Sequence, residues 1–144
     1  MYEIVSHLYL SNYEDAKNVP RSMFVVNCSI NLPMTTTYGM RLPVNDDLRM
    51  ESMDIMTRSL PVVVDQIHNI VSSGGDVLVH CAAGQQRSAA VVAAYLMTTQ
   101  GMSIPQAVAY IKSKKPDAFL TGVNFEKSLK EYEAYIRNGN YRFA

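Results

Sequence analysis

The sequence predicts an α/β domain of three layers, with a short, mainly parallel central sheet flanked by helices. Three observations carry this prediction. Short β-branched or aromatic runs alternate with helical segments early in the chain, and helices dominate its later half, which is the pattern of an α/β layer architecture. The run "DVLVH" (76–80) shows no alternation of apolar and polar positions, as a strand buried on both faces of a parallel sheet requires. The chain has 144 residues and lacks an internal repeat, a low-complexity tract or a Pro/Gly-rich linker, so one domain spanning 1–144 is expected.

The elements follow in order. "EIVSHLYLS" (3–11) and "SMFVVNCS" (22–29) read as two strands, separated by "NYEDAKNVP", in which Asn12 caps a short helix that Pro20 closes. "GMRLPV" (39–44) reads as a further strand that empties into the polar loop "NDDLRMES". In "SLPVVVDQIHNIVSSGG" the positions Leu60, Val63, Val64, Ile67, Ile70 and Val71 recur at helical spacing. Ser59 is the expected cap, Pro61 falls in the first turn, and Gly74-Gly75 stop the helix. After "DVLVH" and a small loop, a helix is predicted from Arg87 to Gln100, stopped by Gly101. "SIPQAVAYIKSKK" opens on a Ser103 to Gln106 capping box. "NFEKSLKEYEAYIRNG" places Phe125, Leu129, Tyr132 and Ile136 on one stripe.

Composition narrows the function classes. Lys+Arg and Asp+Glu balance at 13 each, so no global field advertises a nucleic-acid or membrane partner, and any anion affinity must be local. The two cysteines, Cys28 and Cys81, form neither a disulfide framework nor a Cys/His ligand cluster, so a reducing, cytoplasmic setting and no metal or other cofactor are expected. "MYEIVSHLYL" lacks the basic and apolar regions of a leader, and no apolar run approaches the length that spans a bilayer. The chain begins almost directly on its first strand, so no N-terminal docking or dimerisation extension is expected, and the oligomeric state is left open.

The chemistry concentrates in "HCAAGQQRS" (80–88), at the junction of a buried strand and a helix. A loop leaving the C-terminal end of a parallel strand sits where α/β proteins bind ligands, and the helix N-terminus adds free N–H groups and a positive dipole end. Ala82, Ala83, Gly84, Gln85 and Gln86 let the backbone curl so that successive N–H groups converge on an anion. Arg87 offers a planar fork for two oxygens of a phosphate. Cys81, at the mouth of that loop, would feel the dipole, the N–H donors and Arg87, all of which favour the thiolate nucleophile. Ser88 can give the sulfur a hydroxyl donor, and His80 can hold the turn through loop carbonyls. The leaving oxygen needs a proton from a carboxylic acid, and the acidic pair Asp46-Asp47 stands in a loop leaving a strand edge.

The arrangement His-Cys-x5-Arg-Ser resembles the signature of the cysteine-dependent protein tyrosine phosphatase superfamily. "VLVHCAAG" with "RSAAVVAAYLM" is similar to the compact, poxvirus-type dual-specificity phosphatases in particular. The likeness extends over "HLYLSNYEDA", "LPVNDD" and "AFLTGVNFEKSL", nearly the whole chain. It implies a protein tyrosine phosphatase-like fold, a phosphorylated protein as partner, and hydrolysis of phosphotyrosine and of phosphoserine/phosphothreonine through a cysteinyl-phosphate. Asp46, three residues after the proline of its strand, is implied as general acid and then base, with Asp47 as runner-up. Two positions depart from the family: Gln86 stands where many relatives have a small polar residue, and Gly122 where an asparagine often steadies the phosphate loop.

Other readings stand beside these. Within the superfamily the substrate could instead be a phosphoinositide or an RNA 5′-triphosphate, but relatives acting on those tend to carry Lys or Arg inside the loop, which here reads A-A-G-Q-Q. A phospho-binding pseudophosphatase predicts loss of the nucleophile, the arginine or the acid, and all three residue types are present. Asp46 or Asp47 can serve as a helix cap. Cys28 reads as a small core residue, and the resemblance also offers it for a protective disulfide with Cys81, provided that the two strand ends are adjacent. His7 and His68 read as surface or satisfied groups. "KSKK" (112–115) reads as a solvated helix end, with it and Arg49 as candidate cations for a second phosphate.

Overall fold

The computed structural model describes residues 1–140, and its five strands form one sheet in the order β1-β2-β5-β3-β4. The strands are β1 (Tyr2–Val5), β2 (Leu8–Ser11), β3 (Phe24–Asn27), β4 (Gly39–Arg41) and β5 (Val77–His80). β1 and β2 are antiparallel and every other pairing is parallel. The stretch 3–11 is therefore two strands and not one. The chain reverses at His7, whose φ of 71° is a left-handed value, and His7 Nδ1 bonds Asp76 Oδ1 at 2.8 Å across the turn. Alternation of apolar residues hides such a hairpin, because no glycine or asparagine marks the reversal.

β5 sits at the centre, all four of its residues buried, as its uninterrupted apolar run requires. Val77 and Val79 face a large core with Ile4, Leu8, Leu10, Phe24 and Val26. Leu78 and Val25 face a small cluster with Ala16 and Met23 on the other side. The three layers are thus unequal. One flank is covered by α1 (Tyr13–Ala16), a single turn capped by Asn12, whose side chain accepts from Asp15 N at 2.8 Å. The other carries α2 (Met50–Ser72), α3 (Arg87–Gln100), α4 (Ile104–Lys114) and α5 (Glu126–Tyr135), the last continued by Ile136–Asn140, where the winding breaks at Gly139, φ 78°.

The helix expected from Ser59 begins instead at Met50 and runs through Pro61. Met53 and Met56 extend the buried stripe of Leu60, Val63, Val64 and Ile67. Burying each of these side chains stabilises by about 1.5–3 kcal/mol, which together outweighs the roughly 3 kcal/mol cost of an internal proline. α3 matches its predicted span and ends on Gly101 at φ 66°. It is buried without a break from Ser88 to Met97, enclosed by the sheet and its neighbouring helices. α4 opens on the expected Ser103–Gln106 capping box. Thr98 Oγ1 and Tyr132 OH, 2.7 Å apart, join α3 to α5, and Ser128 Oγ donates to Met53 O at 2.9 Å to join α5 to α2.

Ser11, His80, Asn27 and Arg41 lie in one row across the four parallel strands, each the last residue of its strand. Beyond this row Asn27 Nδ2 and Arg41 Nη2 both donate to Leu32 O, at 2.9 and 2.8 Å, which ties the loop after β3 to the sheet. No helix among the described residues is long and apolar enough to cross a membrane.

Candidate active site

The loop from Cys81 to Gln86 leaves the central strand at this C-terminal row and turns directly into α3. It is held on both flanks: Tyr13 N donates to Ala82 O at 3.1 Å, and Phe119 N donates to Gln85 O at 2.9 Å. Gly84 has φ 71°, and a Cβ there would stand 2.6 Å from Ser11 O, so the close passage of loop over strand end demands glycine. Ala82 and Ala83 face solvent at the mouth.

Cys81 is buried, with Ser88 Oγ 3.1 Å from its Sγ. Burial pushes the thiol up. The Ser88 hydroxyl, the Ser88 N–H, the Arg87 charge and the Gly84 N–H more than offset this and hold it below the ordinary cysteine value. The thiolate is therefore the favoured form at a lower pH than for a free cysteine. Ser88→Ala removes the strongest of the lowering interactions, so the pH midpoint of Cys81 alkylation by iodoacetamide is expected to move upward. A midpoint that stays or falls would refute that role for the hydroxyl.

Arg87 Nη1 donates to Val44 O at 3.2 Å, while its Nε is buried with no hydrogen-bond partner. One corner of the guanidinium is thus anchored on the strand-edge loop, and the Nε–H on the same planar group makes no hydrogen bond. His80 is buried, which favours its neutral form. Burial lowers its pKa, which the bond from Nδ1 to Cys81 O, 3.2 Å long, opposes, and Arg41 and Arg87 lower it further. The ring also packs on Tyr13 at 5.9 Å between centroids. Its place is beneath the loop, bonded to the carbonyl of Cys81.

The two acidic neighbours have different surroundings. Asp47 Oδ1 accepts from Ser52 Oγ at 2.6 Å and from Arg49 N at 3.0 Å, bracing the entry to α2. The Ser52 hydroxyl first, then the Arg49 N–H, hold its carboxyl below the usual range, which makes it a poor proton donor. Asp46 is exposed, and its Oδ1 accepts from Asn124 Nδ2 at 2.9 Å. Neither aspartate caps α2, whose N-cap is Arg49: Asp47 is committed to Arg49 N and Ser52 Oγ, and Asp46 faces the segment beside the 81–86 loop.

Gln86 works with its side chain as well as its backbone. Nε2 donates to Gly122 O at 2.7 Å, and Oε1 accepts from Asn124 N at 3.0 Å. Both departures from the family pattern meet here, since the long amide at 86 reaches the backbone at 122 where no side chain is present. Asn124 carries no motif that marks it in the sequence. Its one signal in the sequence is an asparagine two positions beyond the missing one.

The "KSKK" run is a solvated helix end at Ser113 and Lys114, which are exposed, but not at its last residue. Lys115 is only 3% exposed and lies 2.5 Å from Asp117 Oδ1 and 3.4 Å from Ala83 O. Lys112 Nζ donates to Ala118 O at 2.9 Å, and Lys114 lies over the Tyr110 ring. Asp117 also accepts from Gln85 Nε2 at 3.2 Å. Lys115 is thus spent on loop support and not presented to a second phosphate. Arg49 is exposed, 3.8 Å from Glu51. His68 Nε2 lies 3.3 Å from Ser72 Oγ, and among the described residues no group of three His, Cys, Asp or Glu side chains forms a ligand set.

Cys28 and Cys81 are both free and buried, and Cys28 N donates to His80 O at 2.8 Å, so the two cysteines follow one another across adjacent strand ends. Burial, then the nearby Cys81, pushes the Cys28 thiol well above its ordinary value, against a smaller opposing pull from Arg87. Cys81, not Cys28, is the thiol poised to ionise.

Residues 8–135 match the family model described as "Dual specificity phosphatase, catalytic domain". Human dual specificity protein phosphatase 16 is 33% identical over 144 residues and covers 94% of this chain, which spans 21% of the length of that relative. A protein of Invertebrate iridescent virus 6 named as a tyrosine phosphatase is 34% identical over 143 residues, which make up 98% of this chain and 97% of the viral one. The crystal structure of human DUSP28 matches with a TM-score of 0.81 and 28% identity, over 94% of each chain.

Proposed function

The chain belongs to the dual specificity phosphatase catalytic-domain family, and from that premise we propose that residues 1–144 act as one catalytic domain. Its reaction is the hydrolysis of phosphotyrosine and phosphoserine/phosphothreonine in proteins through a cysteinyl-phosphate. The observation that carries this reading is the Cys81 thiol, 3.1 Å from Ser88 Oγ and held below its ordinary pKa by the Ser88 hydroxyl and N–H, the Arg87 charge and the Gly84 N–H.

In the proposed first step the Cys81 thiolate attacks phosphorus in line. The S–P bond forms, the P–O bond to the protein breaks, and Asp46 gives its proton to the departing oxygen. Backbone N–H groups of Ala82–Gln86 and the Arg87 fork neutralise the equatorial oxygens, where charge accumulates. In the second step Asp46, now a carboxylate, takes a proton from water. The water oxygen bonds to phosphorus, and the S–P bond breaks with Cys81 leaving as thiolate, assisted by the Ser88 hydroxyl. Inorganic phosphate is the product.

A protein substrate is favoured over a phosphoinositide or RNA 5′-triphosphate by the loop itself, where Gln85 and Gln86 are uncharged, and by Lys115, which is buried against Asp117. Free thiols at positions 28 and 81 fit a reducing cytoplasm, where a thiolate nucleophile persists. The test is a rate comparison under reducing conditions on a generic aryl phosphate, phosphotyrosine and phosphothreonine peptides, a phosphoinositide and triphosphorylated RNA. Turnover of the aryl phosphate and both peptides, with kcat/KM for lipid and RNA at least about tenfold lower, is the expected result. No aryl phosphate turnover would sink the enzyme reading in favour of a phospho-binding pseudophosphatase. A preference for lipid or RNA would sink only the substrate assignment.

A further inference from the structure

We infer that Asn124 is the positioning residue for the general acid, and that Gln86 fixes it to the phosphate loop. The inference rests on the proposed role of Asp46. Gln86, only 5% exposed at the junction of the loop and α3, uses its amide on the facing segment, with Oε1 accepting from Asn124 N at 3.0 Å and Nε2 donating to Gly122 O at 2.7 Å. The backbone at 124 is therefore set by the same residue that precedes Arg87. From that fixed point the Asn124 side chain reaches the acid loop, donating from Nδ2 to Asp46 Oδ1 at 2.9 Å. Among the described residues this is the side-chain hydrogen bond that Asp46 makes. Asp47, next in sequence, is committed to Ser52 and Arg49, and Leu48 is held at φ 61°, a left-handed value unusual for leucine. Nothing else in the loop presents a donor to the Asp46 carboxyl.

The chemistry of that contact is specific. An amide N–H aimed at Oδ1 cannot share that oxygen's face with a carboxylic proton, so the proton of the acid form resides on Oδ2. The donor thereby selects which oxygen gives its proton to the leaving group and which takes one from water in the second step. It also keeps an otherwise exposed, freely rotating side chain in one orientation, where a misplacement of about 1 Å can cost on the order of 10²-fold. Gln86 and Asn124 together register the acid against the phosphate that the loop binds.

The test is a double-mutant cycle of Asn124→Ala and Asp46→Ala, read as kcat/KM on phenyl phosphate and on 4-nitrophenyl phosphate, whose leaving groups differ in their need for a proton. Asn124→Ala is expected to lower the phenyl phosphate rate about tenfold more than the 4-nitrophenyl phosphate rate, and to add less than about twofold once Asp46 is already alanine. Asn124→Asp keeps the shape but has no N–H to give, so it should be at least as impaired as Asn124→Ala. Asn124→Gln, which keeps the amide, should recover part of the loss. Equal losses on both substrates, losses that multiply with Asp46→Ala, or full activity in Asn124→Asp would each overturn the inference. If Asp46→Ala leaves the leaving-group dependence unchanged, the acid itself is misassigned, and the inference falls with it.

Discussion

Cys81→Ser lowers turnover of an aryl phosphate by about 10⁴–10⁶-fold, in line with the removal of other catalytic nucleophiles, while binding of a phosphotyrosine peptide persists. The surroundings of Cys81 are built to favour a thiolate: Ser88 Oγ at 3.1 Å, backbone N–H groups and the Arg87 charge outweigh the burial of a nearly inaccessible sulfur. A serine hydroxyl begins several units higher, so the same donors cannot ionise it at neutral pH. Ground-state binding survives because the phosphate is held by loop N–H groups and Arg87. Removing a negative sulfur from beneath a dianion also relieves repulsion. Fluorescence polarisation with a labelled phosphopeptide, run beside steady-state kinetics, checks both halves. Residual activity within tenfold of the wild type would mean that Cys81 is not the nucleophile.

Arg87→Lys is expected to cost about 10³-fold in kcat/KM, as loss of an arginine clamping a transferring phosphoryl group does elsewhere. The charge is conserved, so a purely coulombic role would predict a small effect. The geometry predicts a large one, because Nη1 is anchored on Val44 O at 3.2 Å while Nε is buried without a partner. A planar fork can hold its anchor and bind two phosphate oxygens together, whereas an ammonium group must choose. The loss should appear in both the inhibition constant for vanadate and kcat. A lysine variant within fivefold of the wild type in both would show that the fork is dispensable.

Much of this site is legible in the sequence. The uninterrupted "VLVH" run, the Gly84 turn and the span from Arg87 to a stop at Gly101 specify a buried strand, a tight loop and a helix from local rules alone, and the structure has all three. The hairpin at His7 and the early start of α2 were hidden for physical reasons. A histidine in the left-handed region carries no turn signature, and an internal proline looks like a boundary unless the burial of Met53 and Met56 is known. Local rules also could not separate Asp46 from Asp47, because the distinction depends on Ser52 and on Asn124, which is distant in the chain. The buried Lys115 is a similar case, since "KSKK" reads as solvated until Asp117 and Ala83 are seen beside it.

The row of strand ends at Ser11, His80, Asn27 and Arg41 makes spacing along the sheet a part of the chemistry. Deleting one residue from β5 would draw Cys81 back by about 3.3 Å and turn its side chain to the opposite face. A deletion in β2 or β3 would shift the partners that hold β5 in register. The interiors of these strands, none of which contributes a reacting atom, are thus as intolerant of length change as the loop is of substitution. Single-residue deletions there belong with active-site lesions, while the exposed turns at the opposite end of the sheet are where the chain can lengthen.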